Sequence, residues 1–166
     1  MRLPFQTLVL PYRLHHGLEV AVLHRADYDA WQFVSGGGED GETIEVAARR
    51  EGREEAGIAE SANYEPLDAK AMIPACWFGA WEQWPRDVLV VPEHAFAVDV
   101  GDHAIELSAE HAEVRWLHYD DAVRRLTFDS NRIALWELHE RRFPAPRSKR
   151  AAFDTLHAGR CACSPT

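Results

Sequence analysis

The chain is poor in cysteine, and it has no long apolar run. Its three cysteines, Cys76, Cys161 and Cys163, do not make a paired disulfide framework, and the spacing of the last two does not suit a zinc knuckle. No apolar segment is long enough to span a bilayer, and an N-terminus interrupted by Pro4 and Pro11 does not resemble a signal peptide. We therefore expect a soluble, cytoplasmic protein without a membrane partner.

Basic residues are also scarce. The 18 lysines and arginines are outnumbered by 27 aspartates and glutamates, which gives a formal net charge of −9. A general nucleic-acid-binding protein depends on basic patches, so this charge argues against nucleic acid as a partner. An acidic protein that handles a polyphosphate needs metal ions between its carboxylates and the phosphates. The 46% hydrophobic and 10% aromatic content of the 166 residues predicts one folded domain with a substantial core.

The most informative segment of the chain is Gly36–Ile58. Within it Glu51, Glu54 and Glu55 stand at i, i+3 and i+4, so a helix over Thr43–Ala56 places all three carboxylates on one face. Three uncompensated carboxylates repel one another, and a hard divalent cation such as Mg²⁺ or Mn²⁺ removes that penalty. The spacing therefore predicts a metal-binding helix face. The alternative is an ordinary solvated helix rich in glutamate and arginine.

The predicted helix has sequence signals at both ends. Thr43 is a suitable N-cap, and Gly57 suits the left-handed position that follows a last helical turn. Before the helix, Ser35–Gly38 is predicted to form a flexible glycine turn whose backbone N–H groups can approach a phosphate. A glycine turn, a helix start and a carboxylate cluster in this order indicate phosphate chemistry with a metal.

The same segment resembles the Nudix box, G-x5-E-x7-R-E-U-x-E-E-x-G-U, in which U is a bulky aliphatic residue. Every position of the box that is fixed to one residue type matches: Gly36, Glu42, Arg50, Glu51, Glu54, Glu55 and Gly57. The one departure is Gly52, where the family prefers an aliphatic residue. A glycine inside a helix costs roughly 1 kcal/mol relative to alanine, so the departure concerns the rigidity of the helix.

The resemblance extends from residue 5 to about residue 143, and it points to the subgroup that hydrolyses dihydroneopterin triphosphate and dATP. Ser35 stands where most family members have proline, and Asp129–Leu138 is similar to a helix of that subgroup. Leu107–Leu117 resembles a family segment whose glutamate completes the metal site. Glu110 is therefore the expected metal ligand outside the box, and the alternative is an exposed loop glutamate.

Two further structural expectations concern the second half of the chain. Ala59–Ala71 shows little periodicity and is predicted to be a connecting stretch. The last helix is predicted to begin with a capping segment at Asp129 and to carry Ile133, Trp136 and Leu138 toward the core.

The resemblance implies the Nudix fold, an α/β/α sandwich with a mixed β-sheet between helices, over residues 1–143. Residues 144–166 form a C-terminal tail that we expect to be mobile. The implied reaction is hydrolysis of a P–O–P bond in a nucleoside-triphosphate-like substrate, which gives the monophosphate and pyrophosphate. In this reaction Mg²⁺ or Mn²⁺ is held by Glu51, Glu54, Glu55 and Glu110, Arg50 orients the carboxylates, and Glu54 or Glu55 takes the proton of the attacking water.

The expected partner is a small nucleoside or pterin polyphosphate. Arg25, Gly36 and Gly37 are the candidate phosphate contacts, although Arg25 could equally be a surface arginine. Trp77 and Trp81 belong to an aromatic-rich stretch that could stack on the ring of the substrate, or could fill the core or a dimer contact, so the oligomeric state stays open. The alternative functions are a diadenosine polyphosphate or ADP-ribose hydrolase, and a non-catalytic Nudix-like nucleotide sensor.

Overall fold

The computed structural model describes residues 1–144; the predicted tail from residue 145 onward, with Cys161 and Cys163, lies outside this range. The described chain is a mixed sheet with helices on both faces, which confirms the expected α/β class. The strands are β1 (Arg2–Leu14), β2 (Leu18–Arg25), β3 (Trp31–Gln32), β4 (Val34–Glu39), β5 (Tyr64–Pro74), β6 (Val90–Asp99) and β7 (His111–His118). The helices are α1 (Ile44–Ala56), α2 (Tyr119–Arg125) and α3 (Asp129–Arg142).

Strand β1 lies at the centre of the sheet. It pairs in parallel with β6 along one side, from Gln6 opposite Glu93 to Tyr12 opposite Asp99. Along its other side it pairs antiparallel with β4 and then with β2. The main strand order is β3-β2-β1-β6-β5, with β7 paired to β2. This arrangement places the glycines of β4 beside the central strand, directly before α1.

Two apolar clusters form the core, one on each face of the sheet. On one face, Leu135 and Leu138 of α3 pack with Ala122 of α2 against β1 and β2. On the other face, Ala48 and Ala56 of α1 pack against β1, β2, β4 and β6. The expected α/β/α layering follows from this division. No helix of the described residues is both long enough and apolar enough to cross a membrane.

Three local expectations are wrong. Most of the segment predicted as a connecting stretch belongs to β5, an edge strand whose residues alternate between partial burial and exposure instead of forming a continuous apolar run. In α3, Leu138 is buried, but Ile133 and Trp136 are exposed, because the helical period that includes Ala134, Leu135 and Leu138 turns them outward. That helix begins without a side-chain cap.

The glycine segment is also different from its prediction. Gly36, Gly37 and Gly38 do not form a turn; they lie in β4, where they pair with the first half of β1. The helix that follows agrees with the sequence. The Thr43 hydroxyl accepts a hydrogen bond from the Val46 N–H at 3.3 Å, and Gly57 closes the helix in the left-handed region at φ 68°.

Candidate active site

Arg50 forms hydrogen bonds with three acidic side chains on and just before α1. Its Nε donates to Glu42 Oε1 at 2.8 Å, and its Nη1 donates to Glu51 Oε1 at 2.8 Å and to Glu54 Oε2 at 3.2 Å. Its Nη2 donates to the carbonyl oxygen of Gly37 at 2.8 Å. One guanidinium thus connects three carboxylates, on and just before α1, to the backbone of β4. The pKa values follow this pairing: the pKa of Arg50 is raised, chiefly by its hydrogen bond to Glu42, and the pKa of Glu42 is lowered by the same bond.

Glu42 stabilises the connection between β4 and α1. Its Oε2 accepts a hydrogen bond from the Glu39 N–H at 2.7 Å in addition to the bonds from Arg50. Glu42 thus lies just before the first turn of α1 and links it to the end of β4.

The glycine at position 36 makes room for Glu51. A Cβ atom on Gly36 would lie 1.8 Å from Cδ of Glu51 and 2.0 Å from its Oε1, so any side chain there would displace the carboxylate. Burial raises the pKa of Glu51, and the Arg50 guanidinium opposes that shift. The requirement for glycine at this position is therefore the close approach of a box carboxylate to the strand.

Glu55 is the most buried carboxylate of the helix face, with 4% of the residue exposed. It accepts a hydrogen bond from the Ser35 N–H at 3.3 Å, and Oε2 lies 3.8 Å from Nε2 of the buried His111. Burial, and secondly the charge of Glu51, raise the pKa of Glu55 to about 8. Burial lowers the pKa of His111, so the imidazole stays neutral and does not neutralise the carboxylate. Glu55 thus lies in the part of the site where an added positive charge would be most stabilising.

Glu110, at the loop before β7, faces this carboxylate cluster. Its charge contributes to the raised pKa of Glu55, and Arg25 Nη1 donates to Glu110 Oε2 at 3.2 Å. Arg25 also forms two hydrogen bonds with the carboxylate of Asp27, at 2.7 and 2.8 Å. The structure therefore brings Arg25 and Glu110 together at the edge of the box, with the arginine paired to acidic side chains on both sides.

The donor set of this face suits a hard divalent cation, and two of its four carboxylates, Glu51 and Glu54, are hydrogen-bonded to Arg50. Glu51, Glu54, Glu55 and Glu110 offer only carboxylate oxygens, the ligands that Mg²⁺ prefers. Among residues 1–144, no three His, Cys, Asp or Glu side chains converge on one point in the present arrangement. The physical reason is that the oxygens of Glu51 and Glu54 are bound by the guanidinium. The four carboxylates and the burial of Glu55 beside the charges of Glu51 and Glu110 fit a divalent cation.

A cavity of about 550 Å³ opens beside the box. Ser35 connects the cavity to the carboxylate cluster, because it lines the cavity and its N–H donates a hydrogen bond to Glu55. Aromatic and sulfur-containing side chains form much of the cavity wall, namely Tyr28, Trp77, Phe78, Phe128 and Met72. Its size and its apolar wall with a few polar groups are typical of a small-molecule site.

The two tryptophans predicted to stack on a ring lie in different places. Trp77 is 75% exposed and lines the cavity beside the box. Trp81 lines a separate cavity with Cys76, Trp84 and Leu89. Trp77 thus stays a candidate for stacking on a substrate ring in the cavity beside the box, whereas Trp81 lies at the other cavity.

Several residues of the site carry no local sequence signal. The Arg2 guanidinium occupies the space that a side chain on Gly37 would need, 2.4 Å from the ideal Cβ position, and it lies 5.1 Å above the Phe78 ring. Burial lowers the pKa of Arg2, while the charge of Glu51 raises it. Glu93 and Gln32 are buried polar residues that line the cavity. Only strand pairing brings these distant positions to the box, so no motif could have identified them.

Asn131 lies at the cavity and also links α3 to the sheet. It lines the cavity, but its side-chain oxygen accepts the Phe33 N–H at 2.9 Å, and its amide group donates to the Ser130 hydroxyl at 3.3 Å. The side chain therefore ties α3 to the segment between β3 and β4, and it does not cap its own helix.

The comparisons with known proteins agree with this site. The model of the NUDIX domain family matches residues 6–136, and the chain belongs to the Nudix family and is a hydrolase that acts on phosphoric anhydrides. A protein from Listeria monocytogenes assigned to the NUDIX hydrolases superposes with a TM-score of 0.76 at 42% identity, over 84% of this chain and 94% of that chain. These matches confirm the expected family and the Nudix fold.

Two further relatives have named substrates. The dihydroneopterin triphosphate pyrophosphohydrolase of E. coli superposes with a TM-score of 0.70 at 27% identity, over 84% of this chain and 97% of that chain. An RNA pyrophosphohydrolase of Roseobacter denitrificans is 30% identical over 139 residues, which cover 75% of this chain and 84% of the relative. The relatives therefore share pyrophosphohydrolase chemistry and differ in substrate.

Proposed function

We propose that this protein hydrolyses a P–O–P bond of a purine- or pterin-like triphosphate and releases the monophosphate and pyrophosphate. The observation that carries the proposal is the contact between the carboxylate face of α1 and the aromatic cavity at Ser35. A ring held in that cavity has its phosphate chain beside the box. The similarity to the dihydroneopterin triphosphate enzyme of E. coli supports the same substrate class.

Four glutamates and one arginine have proposed roles in this reaction. Glu51, Glu54, Glu55 and Glu110 are the side chains that would hold Mg²⁺ or Mn²⁺. A bound divalent ion neutralises phosphate charge and lowers the pKa of a coordinated water. Arg50 holds Glu51 and Glu54 in place through its hydrogen bonds. A glutamate of the box accepts the proton of the attacking water, and the candidates are Glu54 and Glu55.

Phosphate contacts are proposed for basic groups at the rim. Arg25 lies beside Glu110, and Arg2 lies beside Gly37 and Glu51. Both guanidinium groups stand at the border of the box and the cavity, since Arg25 lies 5.4 Å from the ring of Tyr28 and Arg2 lies over Phe78. Gly36 and Gly37 contribute by leaving space for Glu51 and Arg2.

RNA is a second candidate substrate because of the identity with the Roseobacter denitrificans protein. The net charge of −9 weighs against it, since the affinity of proteins for RNA depends largely on basic side chains that contact phosphates. A small triphosphate needs no such surface, because a divalent ion held by Glu51, Glu54, Glu55 and Glu110 would neutralise the charge of its few phosphates.

The experiment that tests the proposal is a substrate panel in Mg²⁺. Dihydroneopterin triphosphate, dATP, dGTP, ADP-ribose, diadenosine tetraphosphate and a triphosphorylated RNA are each incubated with the protein, and kcat/KM is measured. We expect a pterin or purine triphosphate to have the highest value. A higher value for ADP-ribose, the dinucleotide or RNA would overturn the proposed substrate class and leave only the hydrolase family.

A further inference from the structure

A buried carboxyl group lies in the cavity beside the box. Glu93 belongs to β6, only 5% of the residue is exposed, and it lines the cavity. The Ser130 hydroxyl hydrogen-bonds to this carboxyl group. Within the described part of the chain, no arginine, lysine or histidine forms an ion pair with it. Burying a carboxylate is costly unless its oxygens find donors, and one hydroxyl supplies only one.

The surroundings of Glu93 define what could supply the missing donors. Trp77, Phe78 and Phe128 form aromatic walls of the same cavity. Flat walls of this kind favour a planar ring, and an ionised carboxyl group accepts two parallel hydrogen bonds from neighbouring N–H groups on one edge of such a ring. Burial raises the pKa of Glu93, and a donor pair at its oxygens would act in the opposite direction by favouring the ionised form.

We propose that Glu93 is a specificity-determining residue that recognises the 2-amino-4-oxopyrimidine edge shared by pterin and guanine rings. That edge presents a ring N–H next to an exocyclic amino group, and both are donors. The corresponding edge of adenine presents an amino donor next to a ring nitrogen acceptor, which would face a carboxylate oxygen without a proton between them. The cavity therefore selects pterin and guanine over adenine. The inference rests on the proposed function only in taking the ring to be part of a polyphosphate substrate.

Ring recognition can be measured without hydrolysis. Binding of GMP and AMP in Mg²⁺ is measured by calorimetry for the wild-type protein, for Glu93→Gln and for Glu113→Gln. The last variant is the control, because the Glu113 side chain is 44% exposed on β7 and pairs with Arg115. We expect the wild type to bind GMP about tenfold or more tightly than AMP, since a bidentate pair contributes on the order of 1–3 kcal/mol of discrimination. Neopterin and guanosine, compared in the same way, separate a pterin site from a guanine site.

Glu93→Gln is expected to shift the base preference of the protein from GMP toward AMP. A purely structural role of Glu93 predicts no such shift. The amide of Glu93→Gln offers one donor and one acceptor, so it matches the edge of adenine and mismatches that of guanine. We expect the GMP-to-AMP affinity ratio to fall by about tenfold or more, with an unchanged ratio in Glu113→Gln. An equal loss of both ligands, an unchanged ratio, a wild-type preference for AMP, or no binding of either ligand would each overturn the inference. If GMP is preferred but no triphosphate is hydrolysed, the inference stands and the proposed function fails.

Discussion

The hydroxyl oxygen of Tyr64 lies 2.3 Å from the position that a Cβ atom on Gly52 would occupy. Gly52 is the one position of the box that departs from the family pattern, and it is buried where α1 crosses the start of β5. The Tyr64 hydroxyl is itself buried without a hydrogen-bond partner in the described residues. The glycine therefore accommodates a tyrosine from a strand that follows the helix.

This contact predicts that Gly52→Ala destabilises the protein. Helix propensity alone favours alanine by roughly 1 kcal/mol, but the tyrosine ring would have to move. We expect a net loss of about 1–3 kcal/mol in the free energy of unfolding, measured by urea denaturation. The control is Tyr64→Phe, which removes the oxygen that meets the new Cβ and should make Gly52→Ala much less costly. A more stable Gly52→Ala protein with tyrosine in place would contradict the packing explanation.

Two of the three arginines of α1, Arg50 and Arg53, give a second prediction. Arg50→Ala should lower the free energy of unfolding by about 1–3 kcal/mol and reduce kcat/KM by more than tenfold, because three carboxylates lose their shared donor. Arg53→Ala is the matched control. Arg53 is 52% exposed and pairs with Glu54 and Glu60 at the surface, so its loss should cost no more than about 1 kcal/mol and leave activity nearly unchanged. Equal effects of the two substitutions would show that Arg50 has no organising role.

The burial of Glu55 predicts a pH dependence of stability in chelator. The folded protein keeps a proton on Glu55 up to about pH 8, whereas the unfolded chain releases it near the ordinary value of 4.5. The folded state binds more protons between these values, so the free energy of unfolding should fall by a few kcal/mol as the pH rises from about 4.5 to about 8. Glu51 and Glu110 strengthen this effect through repulsion, and Arg25 and the Ser35 N–H weaken it.

Thermal melting across this pH range tests the effect. Glu55→Gln has no ionisable group at this position, so its profile in chelator should be flatter than that of the wild type. Excess Mg²⁺ should stabilise the wild type most at the upper end of the range, where the carboxylates are ionised. Identical slopes for the two proteins, or identical melting with chelator and with Mg²⁺, would show that the cluster does not behave as a cation site.

The separation of the two tryptophans gives a kinetic prediction. Trp77→Ala should raise KM more than it lowers kcat, since a ring contact remote from the reacting phosphorus contributes uniform binding. A stacking contact of about 1–3 kcal/mol corresponds to an increase in KM of roughly 5- to 150-fold. Trp81→Ala is the control, because Trp81 lines a different cavity, and its KM should stay near that of the wild type. Equal increases in KM for the two variants would contradict the placement of the ring.

The parts of the site that the sequence predicts are local in the chain. The Thr43 cap, the Gly57 terminus and the helical spacing of the glutamates all lie within one segment, so their geometry follows from helix rules alone. The parts of the site that the sequence could not predict depend on strand pairing. Arg2 reaches Gly37 because β1 pairs with β4, and Glu93 reaches the cavity because β6 pairs with β1.

The position of β5 at the edge of the sheet and the phase of the apolar face of α3 explain why two structural predictions are wrong. Strand β5 ends the sheet, so its outer side is solvated, and its apolar–polar alternation consists largely of alanines, which are depleted in strands and give a weak signal. In α3 the buried positions include the polar Asn131, which hid the true phase of the apolar face and made Ile133 and Trp136 appear to be core residues.

The central claim is that the carboxylates of α1 support metal-dependent cleavage that releases pyrophosphate. It is tested most directly by quantifying pyrophosphate and orthophosphate released from dihydroneopterin triphosphate or dGTP, in Mg²⁺ and in chelator, by the wild type and by Glu54→Gln. Glu54 is an exposed side chain, so its substitution should leave the fold intact. We expect one pyrophosphate per monophosphate in Mg²⁺, none in chelator, and a rate lower by several orders of magnitude for Glu54→Gln. Release of orthophosphate alone, an equal rate in chelator, or a near-normal rate for Glu54→Gln in saturating Mg²⁺ would contradict the claim.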